Sequence, residues 1–412
     1  MSVTPSGGNF SAAVPAGPYY VELTSGSFKH YALSSSDTLE LGGTQTGRID
    51  GAYPTAATSL QLNLSGLAAW GANDWLSLCS TNVGLAADDV SGLAPGALAA
   101  GATSGSLTID YQALGQPLIS SARGDTLVVT QNALLGSPVP HYATVAAGTV
   151  TGLTQTSGQP SSAVVAMSPL TPVSQTLDVR TTLFESYRTE VHPQAVASRT
   201  QVLIVGVPGL TAARGVVGAT SMLLYAPIAA GGTDLNAAFV YGNPFPSSVP
   251  LALEVRAVFS VSMQAAGATP GAVYGQVGFD LPLSTLSGPL VPRISPPRNV
   301  QVNGMSATVP VSGVGMSPVI TWQAPTLGTA DRYVVQIYRL ENQGGMTRFA
   351  PVGGVRTKGT RVVLPPGLLT AGAGHALVIS ASMNGGIDVE ARPFSSSGAE
   401  ALADAVVGPI TP

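Results

Sequence analysis

The densest set of side chains able to do acid–base chemistry lies in one short run: Glu185, Tyr187, Arg188, Glu190 and His192. Its periodicity continues a strand, which would put Glu185 and Tyr187 on one face and Arg188, Glu190 and His192 on the other. The two carboxylates then point apart, which argues against the paired acid and base of a glycosidase and favours a solvated face. The four histidines, His30, His141, His192 and His375, are far apart in the chain, and none sits in an HExxH pair. They read as exposed or structural residues. Asp88 and Asp89 could contribute to a calcium site, but one acidic pair lacks the other oxygen ligands, and a wet turn is the simpler reading. Cys79 is the only cysteine, so it can build neither an internal disulfide nor a cysteine zinc site. In LSLCSTN it alternates with Leu76 and Leu78 and packs as a small hydrophobe. No GxSxG segment is present.

Two features point to binding. Arg123, Gly124 and Asp125 spell the tripeptide that resembles integrin-binding loops, although Gly124 and Asp125 also form an ordinary turn into the strand TLVVT. Trp70 and Trp75 flank the turn GAND, where indoles could stack on sugar rings. Trp75 also begins an alternating strand, which favours core packing for it. The sequence thus assigns no catalytic, cofactor-binding or metal-binding residue, and leaves the partner-binding surface unknown.

These groups sit in a charge-poor frame. Charged residues make up 9% of the 412, against about 25% in an average soluble domain. Disorder is excluded by the 45% hydrophobic content and a net charge of only −4. The longest apolar run, GVVGATSMLLYAPIAAGG from Gly215 to Gly232, is broken by Thr220, Ser221 and Pro227, so it reads as strand, turn and strand and no transmembrane helix is expected. The 6% aromatic content does not supply the girdles of an outer-membrane barrel. Lys29 and Lys358 are the only lysines, and without a basic run nucleic acid is not an expected partner. Arginine in preference to lysine, with abundant Ala, Gly and Val, suggests a GC-rich bacterial genome. MSVTPSGGNFSAAVPAGPYY has no basic and apolar leader pattern; if the chain is exported, Met1 is expected to stand where a leader or lipid anchor has been removed.

Strand periodicity runs through the whole chain. In LALEVRAVFSVSM, Leu251, Leu253, Val255, Ala257, Phe259, Val261 and Met263 alternate with Glu254, Arg256, Ser260 and Ser262, which predicts one buried and one wet face. TLDVRTTLF continues the rule through Leu183, and YYVEL, SLQLNL, DWLSL, SLTIDY, DTLVVTQ, QVLIVGV and GQVGFDL repeat it. Forty-nine glycines and 32 prolines punctuate these runs and disfavour helices. The expected organisation is all-β antiparallel sandwiches. A β-rich region spans 1–150, and a second, possibly continuous with it, spans 151–290. A proline-rich linker covers 291–298, within SGPLVPRISPPRN, and a last sandwich covers 299–412.

That last region is the most specific. NVQV, VITW, RYVVQIYRL, TRVVL, HALVISAS and a final strand within 398–410 have the size and spacing of an immunoglobulin-like sandwich. Trp322 followed by Pro325, and Tyr333 opening the third strand, resemble the core positions of the fibronectin type III family. Leu369 to Gly374, then His375, Leu377, Ile379 and Ala381, match that family's loop and sixth strand in register. Ala371 replaces the family's proline, and His375 stands where its corner tyrosine would be, able to keep a ring and one hydrogen bond to backbone. The resemblance covers about 295–412 and implies a fold; it transfers no site. In bacterial extracellular proteins such modules serve as spacers, adhesive units or accessory parts of polysaccharide-acting enzymes. The expected function is therefore a non-enzymatic, secreted or cell-surface protein acting in adhesion, scaffolding or self-assembly, with itself or other surface proteins as partners. The alternative is carbohydrate binding, with glycans as the ligand.

Overall fold

A computed structural model describes residues 11–14, 16–25, 28–41, 47–94, 96, 98–207, 221–383, 386–395 and 401–412. Residues 1–10, and 215–220 of the long apolar run, lie outside the described residues. The fold is all-β. A hairpin of β1 (Tyr19–Ser25) and β2 (Phe28–Ser34) comes first. The first sandwich follows: β3 (Ser59–Ser65), β4 (Trp75–Ser80), β5 (Leu85–Ala87), β6 (Ser104–Asp110), β7 (Leu127–Leu135), β8 (His141–Val150), β9 (Pro160–Ala166) and the short β10 (Ser168–Pro169). Its smaller sheet is β6–β3–β9, and the facing one runs β8–β7–β4–β5. Leu60, Leu62 and Leu64 of β3 meet Leu76, Leu78 and Val129 from across the sandwich, because period-two alternation sends every second side chain of each strand into the space between the sheets.

The second region contains β11 (Pro172–Val179), the helical turns α1 (Thr181–Glu185) and α2 (Arg188–Val191), β12 (Val196–Gly206), β13 (Met222–Ala229), β14 (Leu235–Gly242), β15 (Leu251–Met263) and β16 (Gly271–Pro282). The β11–β14 ribbon packs Leu177, Val179, Phe239 and Tyr241 into the same core as Val202, Ile204, Val255 and Ala257. The last sandwich holds β17 (Arg298–Val302), β18 (Met305–Ser306), β19 (Val311–Ser312), β20 (Val319–Gln323), β21 (Arg332–Gln343), β22 (Met346–Thr357), β23 (Arg361–Val363), β24 (His375–Met383) and β25 (Ala401–Thr411). One sheet runs β18–β17–β20–β23 and the other β22–β21–β24–β25, a fibronectin type III-like arrangement. Trp322 on β20 and Tyr333 on β21 meet edge to face between the sheets, with centroids 5.3 Å apart. At the corner, Thr370 N–H donates to His375 Nε2 at 3.2 Å, so the imidazole ties the loop to the strand as the missing tyrosine would.

Several strand readings change. TLDVRTTLF leaves the sheet after Val179: Thr182 N–H donates to Asp234 Oδ1 at 3.1 Å, satisfying an N-terminal donor of a helical turn. Leu183 is consequently exposed while Phe184 is buried. The alanine-rich stretch Leu235–Gly242 forms β14. Strand β22 was not foreseen, because MTRFAPVGGVRT lacks alternation. Its Pro351 pairs with Tyr338 beside a register shift, where a proline costs the ladder least. The even face of β15 is not uniformly wet: Arg256 is 6% exposed. Its partner residue Gly278 has no Cβ, and one built there would lie 2.6 Å from Arg256 Cδ, so the long side chain lies down across the sheet toward Asp280. Pairing is mainly antiparallel, with β9 on β3, β19 on β25 and β2 on β22 as parallel exceptions.

The large sheets join into one path, β1–β2–β22–β21–β24–β25–β16–β15–β12–β13–β8–β7–β4–β5. Leu224 and Tyr225 pair with Ala143 and Tyr142 to link the first two regions. Val277 to Phe279 pair with Ala401 to Ala403 to link the last two. The proline-rich 291–298 segment is packed within this assembly: Pro292, Ile294, Ser295, Pro296 and Pro297 are buried, and Ser295 Oγ accepts from Thr326 and Leu327 N–H.

Candidate functional site

The hairpin and the segment after it bring the two ends of the molecule together, and most of the polar design is concentrated there. Strand β2 adds in parallel to the outer edge of β22, pairing Lys29 with Gly353 through Ala32 with Arg356. Tyr31 and Ala32 are buried by this contact. Tyr20 packs edge-on against Tyr31, with centroids 6.3 Å apart, and its hydroxyl donates to Val363 O at 2.5 Å. Gly353 makes the approach possible: a Cβ there would sit 2.5 Å from Lys29 O. On the far side, Phe28, His30 and Phe394 form an aromatic cluster, with the Arg356 guanidinium over the Phe394 ring at 5.5 Å. Burial and the nearby Arg356 charge hold His30 below the usual imidazole range, so it packs as a neutral ring. Ser34 Oγ donates to Glu390 O at 2.8 Å and Ser35 Oγ to Glu390 Oε2 at 2.7 Å. Glu40 N–H donates to Ala391 O at 2.7 Å.

The same segment then anchors on the first sandwich by charge. Arg48 N–H donates to Asn82 O at 2.7 Å. Its guanidinium donates to both oxygens of Asp125, with Nη2 to Oδ2 at 2.9 Å, and its Nη1 donates to Asp50 at 2.6 Å. Asp125 accepts further hydrogen bonds from Asn82 Nδ2 at 2.9 Å and Ser120 N–H at 2.8 Å. Burial alone would raise its pKa, but Arg48 and these donors outweigh it and hold the carboxyl below the usual range. The Arg123–Gly124–Asp125 tripeptide is therefore not displayed as a recognition loop. The Asp125 side chain has no solvent exposure, while Arg123 pairs with Asp50 at 2.7 Å. Gly124 takes the left-handed conformation of the turn, φ 79°.

The two tryptophans do not share a face. Trp75 packs against Tyr142 at 4.1 Å, and Tyr142 stacks on Tyr225 at 6.4 Å, so an indole face is covered by protein. Trp70 is 8% exposed and walls an open cavity of about 390 Å³ together with Asp74, Asp89, Ser91, Leu98 and Leu107. Asp74 accepts from Gly71 N–H at 3.0 Å and Gln131 Nε2 at 2.9 Å. Asp89 caps a 3₁₀ turn, accepting from Gly92 N–H at 3.0 Å, while Asp88 is exposed. Among the described residues, no three His, Cys, Asp or Glu side chains converge as metal ligands.

The remaining chemistry-bearing residues are structural and dispersed. Glu185 accepts from Gly231 N–H at 3.0 Å and Glu190 is exposed, so the carboxylates do separate things, on helical turns and not on the expected strand. His192 Nδ1 accepts from Gln194 N–H at 3.1 Å. His141 is buried edge-on to Phe239 at 5.2 Å. Cys79 is buried, and burial pushes its thiol up to about 11. One charged cluster was not visible in the sequence. Arg256 pairs with Asp280 inside the sheet, and Asp404 on β25 accepts from Gln276 N–H on β16 at 3.0 Å, just beyond the three backbone pairs joining those strands. Burial pushes both carboxyls up to about 6, partly offset for Asp404 by hydrogen bonds from Ser380 and Gln276.

Among the described residues, no helix is long and apolar enough to cross a membrane. No family model matches the chain. No curated protein matches it either. Among solved structures it is similar to the FN1-FN3 domains of chicken CNTN1, at 11% identity, covering 88% of this chain and 98% of that one, with a TM-score of 0.15.

Proposed function

We propose that this chain is a non-enzymatic scaffold, secreted or displayed at a bacterial cell surface, that works by adhesion and self-assembly. The observation that carries the reading is strand addition: the N-terminal hairpin extends the sheet of the last sandwich through its backbone, at an edge opened by Gly353. Strand addition is a recurrent route by which β-proteins recruit one another, because main-chain hydrogen bonds supply the affinity. Light scattering across a wide concentration range tests the reading. Growth of mass with concentration is expected, and a monomer at every concentration overturns the self-assembly part.

The cavity beside Trp70 favours a second reading, carbohydrate binding. Its lining supplies an indole wall and two fixed carboxylate acceptors, a combination suited to the apolar face and the hydroxyls of a sugar. On a glycan array, binding that falls with Trp70→Ala and not with Trp75→Ala is expected. An array without hits removes the reading.

A further inference from the structure

We infer that the N-terminal hairpin exchanges between copies, so that β1–β2 of one chain adds to β22 of the next and the molecules assemble head to tail. This rests on the self-assembly reading above and names its mechanism. The first support is where the hairpin's contacts fall. Beyond itself it touches β22, Val363, Glu390 and Phe394, all in the last sandwich, yet its chain leads to Arg48, which is locked onto Asn82 and Asp125 of the first. Donor tether and acceptor edge thus belong to opposite ends of the chain.

The second support is the acceptor, whose shape is specialised for an incoming backbone. Gly353 brings Lys29 O to within 2.5 Å of where a Cβ would stand, and Leu368 Cδ2 to within 2.6 Å. Val355 and Leu368 are themselves buried core residues, so an empty edge would expose apolar surface together with unpaired N–H and C=O groups. Some hairpin must cover it, and nothing in the pairing distinguishes the chain's own copy from another's.

Reach is the third. Beyond Glu40, whose N–H is tied to Ala391 O of the last sandwich, seven residues lead to Arg48, a contour of about 27 Å when extended. Exchange keeps every native contact, so its equilibrium is set by concentration against an intramolecular competitor whose effective concentration is of millimolar order. It is therefore favoured where copies are crowded, as on a surface. Because donor and acceptor are different patches, the contact is heterologous, and each added copy presents a further free edge until a ring closes.

The test is a cysteine pair in the full-length chain, Ala32→Cys with Arg356→Cys, at residues paired across β2 and β22; native Cys79 is buried and does not compete. The double variant is concentrated until light scattering reports assembly, then oxidised and run on a denaturing gel without reductant. A ladder of two, three and more chain lengths is expected, collapsing to monomer with reductant and absent in either single variant. Assembly by scattering with cross-linked monomer alone on the gel overturns exchange and leaves self-assembly standing through another surface. No assembly by scattering overturns both. A dilute sample oxidised before concentration, its hairpin locked to its own β22, is expected to lose assembly at least tenfold. Undiminished assembly of that locked form also overturns exchange.

Discussion

The first and last sandwiches both receive part of the same N-terminal segment, and they hold it by different physics. The last takes the hairpin through a backbone ladder and packed rings, with four parallel pairs and Tyr31 inside the core. The first takes residues 47–50 through a charge network centred on Arg48 and the inaccessible Asp125. A ladder is indifferent to side-chain identity along most of its length and can accept an equivalent strand from elsewhere. A buried ion pair with several hydrogen bonds is specific and punishes the loss of either partner. The tether is therefore the committed end and the hairpin the exchangeable one.

The largest expected effect breaks the last sandwich itself. Trp322→Ala removes a ring that is 5% exposed and contacts Tyr333, and should cost roughly 3 to 5 kcal/mol. The second and last regions share one continuous core, while most of the first has its own. Hydrogen exchange should accordingly show protection lost in β20–β25 and weakened in β15–β16, and retained in β3 and β6. Uniform loss across the whole chain would show that the two cores are not separable.

Next comes the charge anchor. Arg48→Ala leaves the Asp125 carboxylate without its cation in a dry site and should destabilise the first sandwich by roughly 2 to 4 kcal/mol. Removing both partners with Arg48→Met and Asp125→Leu should cost less than the sum of the single changes, because no unpaired charge is left behind. Denaturant titration of the four-member cycle measures the coupling. A coupling near zero would mean that Asn82 and Ser120 alone satisfy Asp125, and that the tether is not committed.

A smaller perturbation separates the hairpin from its edge. Gly353→Val drives a side chain into Lys29 O and should release β1–β2 while the sandwich stays folded, a change of about 1 to 2 kcal/mol. The only two lysines make this readable: Lys29 lies within β2 and Lys358 in an exposed turn. A lysine-specific protease should cut wild type first at Lys358. The variant should gain cleavage at Lys29 by tenfold or more, with Lys358 unchanged. An unaltered ratio would mean that the hairpin is not held by this edge.

How much of this was legible in the sequence depended on how local the signal was. The last sandwich announced itself because Trp322, Tyr333 and the Leu377, Ile379 and Ala381 phase are short-range patterns imposed by one core. LALEVRAVFSVSM likewise became β15 over all thirteen residues. Strand β22 was hidden because it was an edge awaiting a partner: Pro351, Gly353 and Gly354 suit a bulge and a close approach and erase the alternation. The Arg48–Asp125 pair spans 77 residues and the β2–β22 pairing more than 300, and no periodicity encodes either. Gly124 and Asp125 form the ordinary turn that the sequence favoured, but the burial of Asp125 was not legible for the same reason. The turn is local, whereas the partners that bury the carboxylate, Arg48 and Asn82, lie elsewhere in the chain.

The smallest expected effect concerns the junction where β16 meets β25, a third way of holding regions together. Asp404 and Asp280 both titrate near 6 in the folded chain, Asp280 facing Glu254 and Arg256 and Asp404 facing Gln276 N–H and Ser380. Their folded pKa values lie above the unfolded ones, so between about pH 4 and 6 the folded state holds more protons, and ionisation at neutral pH opposes folding. Stability should rise by roughly 1 kcal/mol for each of the two carboxyls as pH falls from 7 to 5. It should decline again on further acidification, as Asp125 and Asp234, both held below the usual range, are protonated. Asp404→Asn keeps an acceptor for Gln276 N–H and removes the buried charge. It should raise Tm at pH 7 and reduce the slope between 5 and 7, leaving in place the acid limb, which belongs to Asp125 of the first sandwich and Asp234 of the second region. A variant that loses the acid limb as well would show that junction and anchor titrate as one unit, and that the two ends of the molecule are electrostatically coupled.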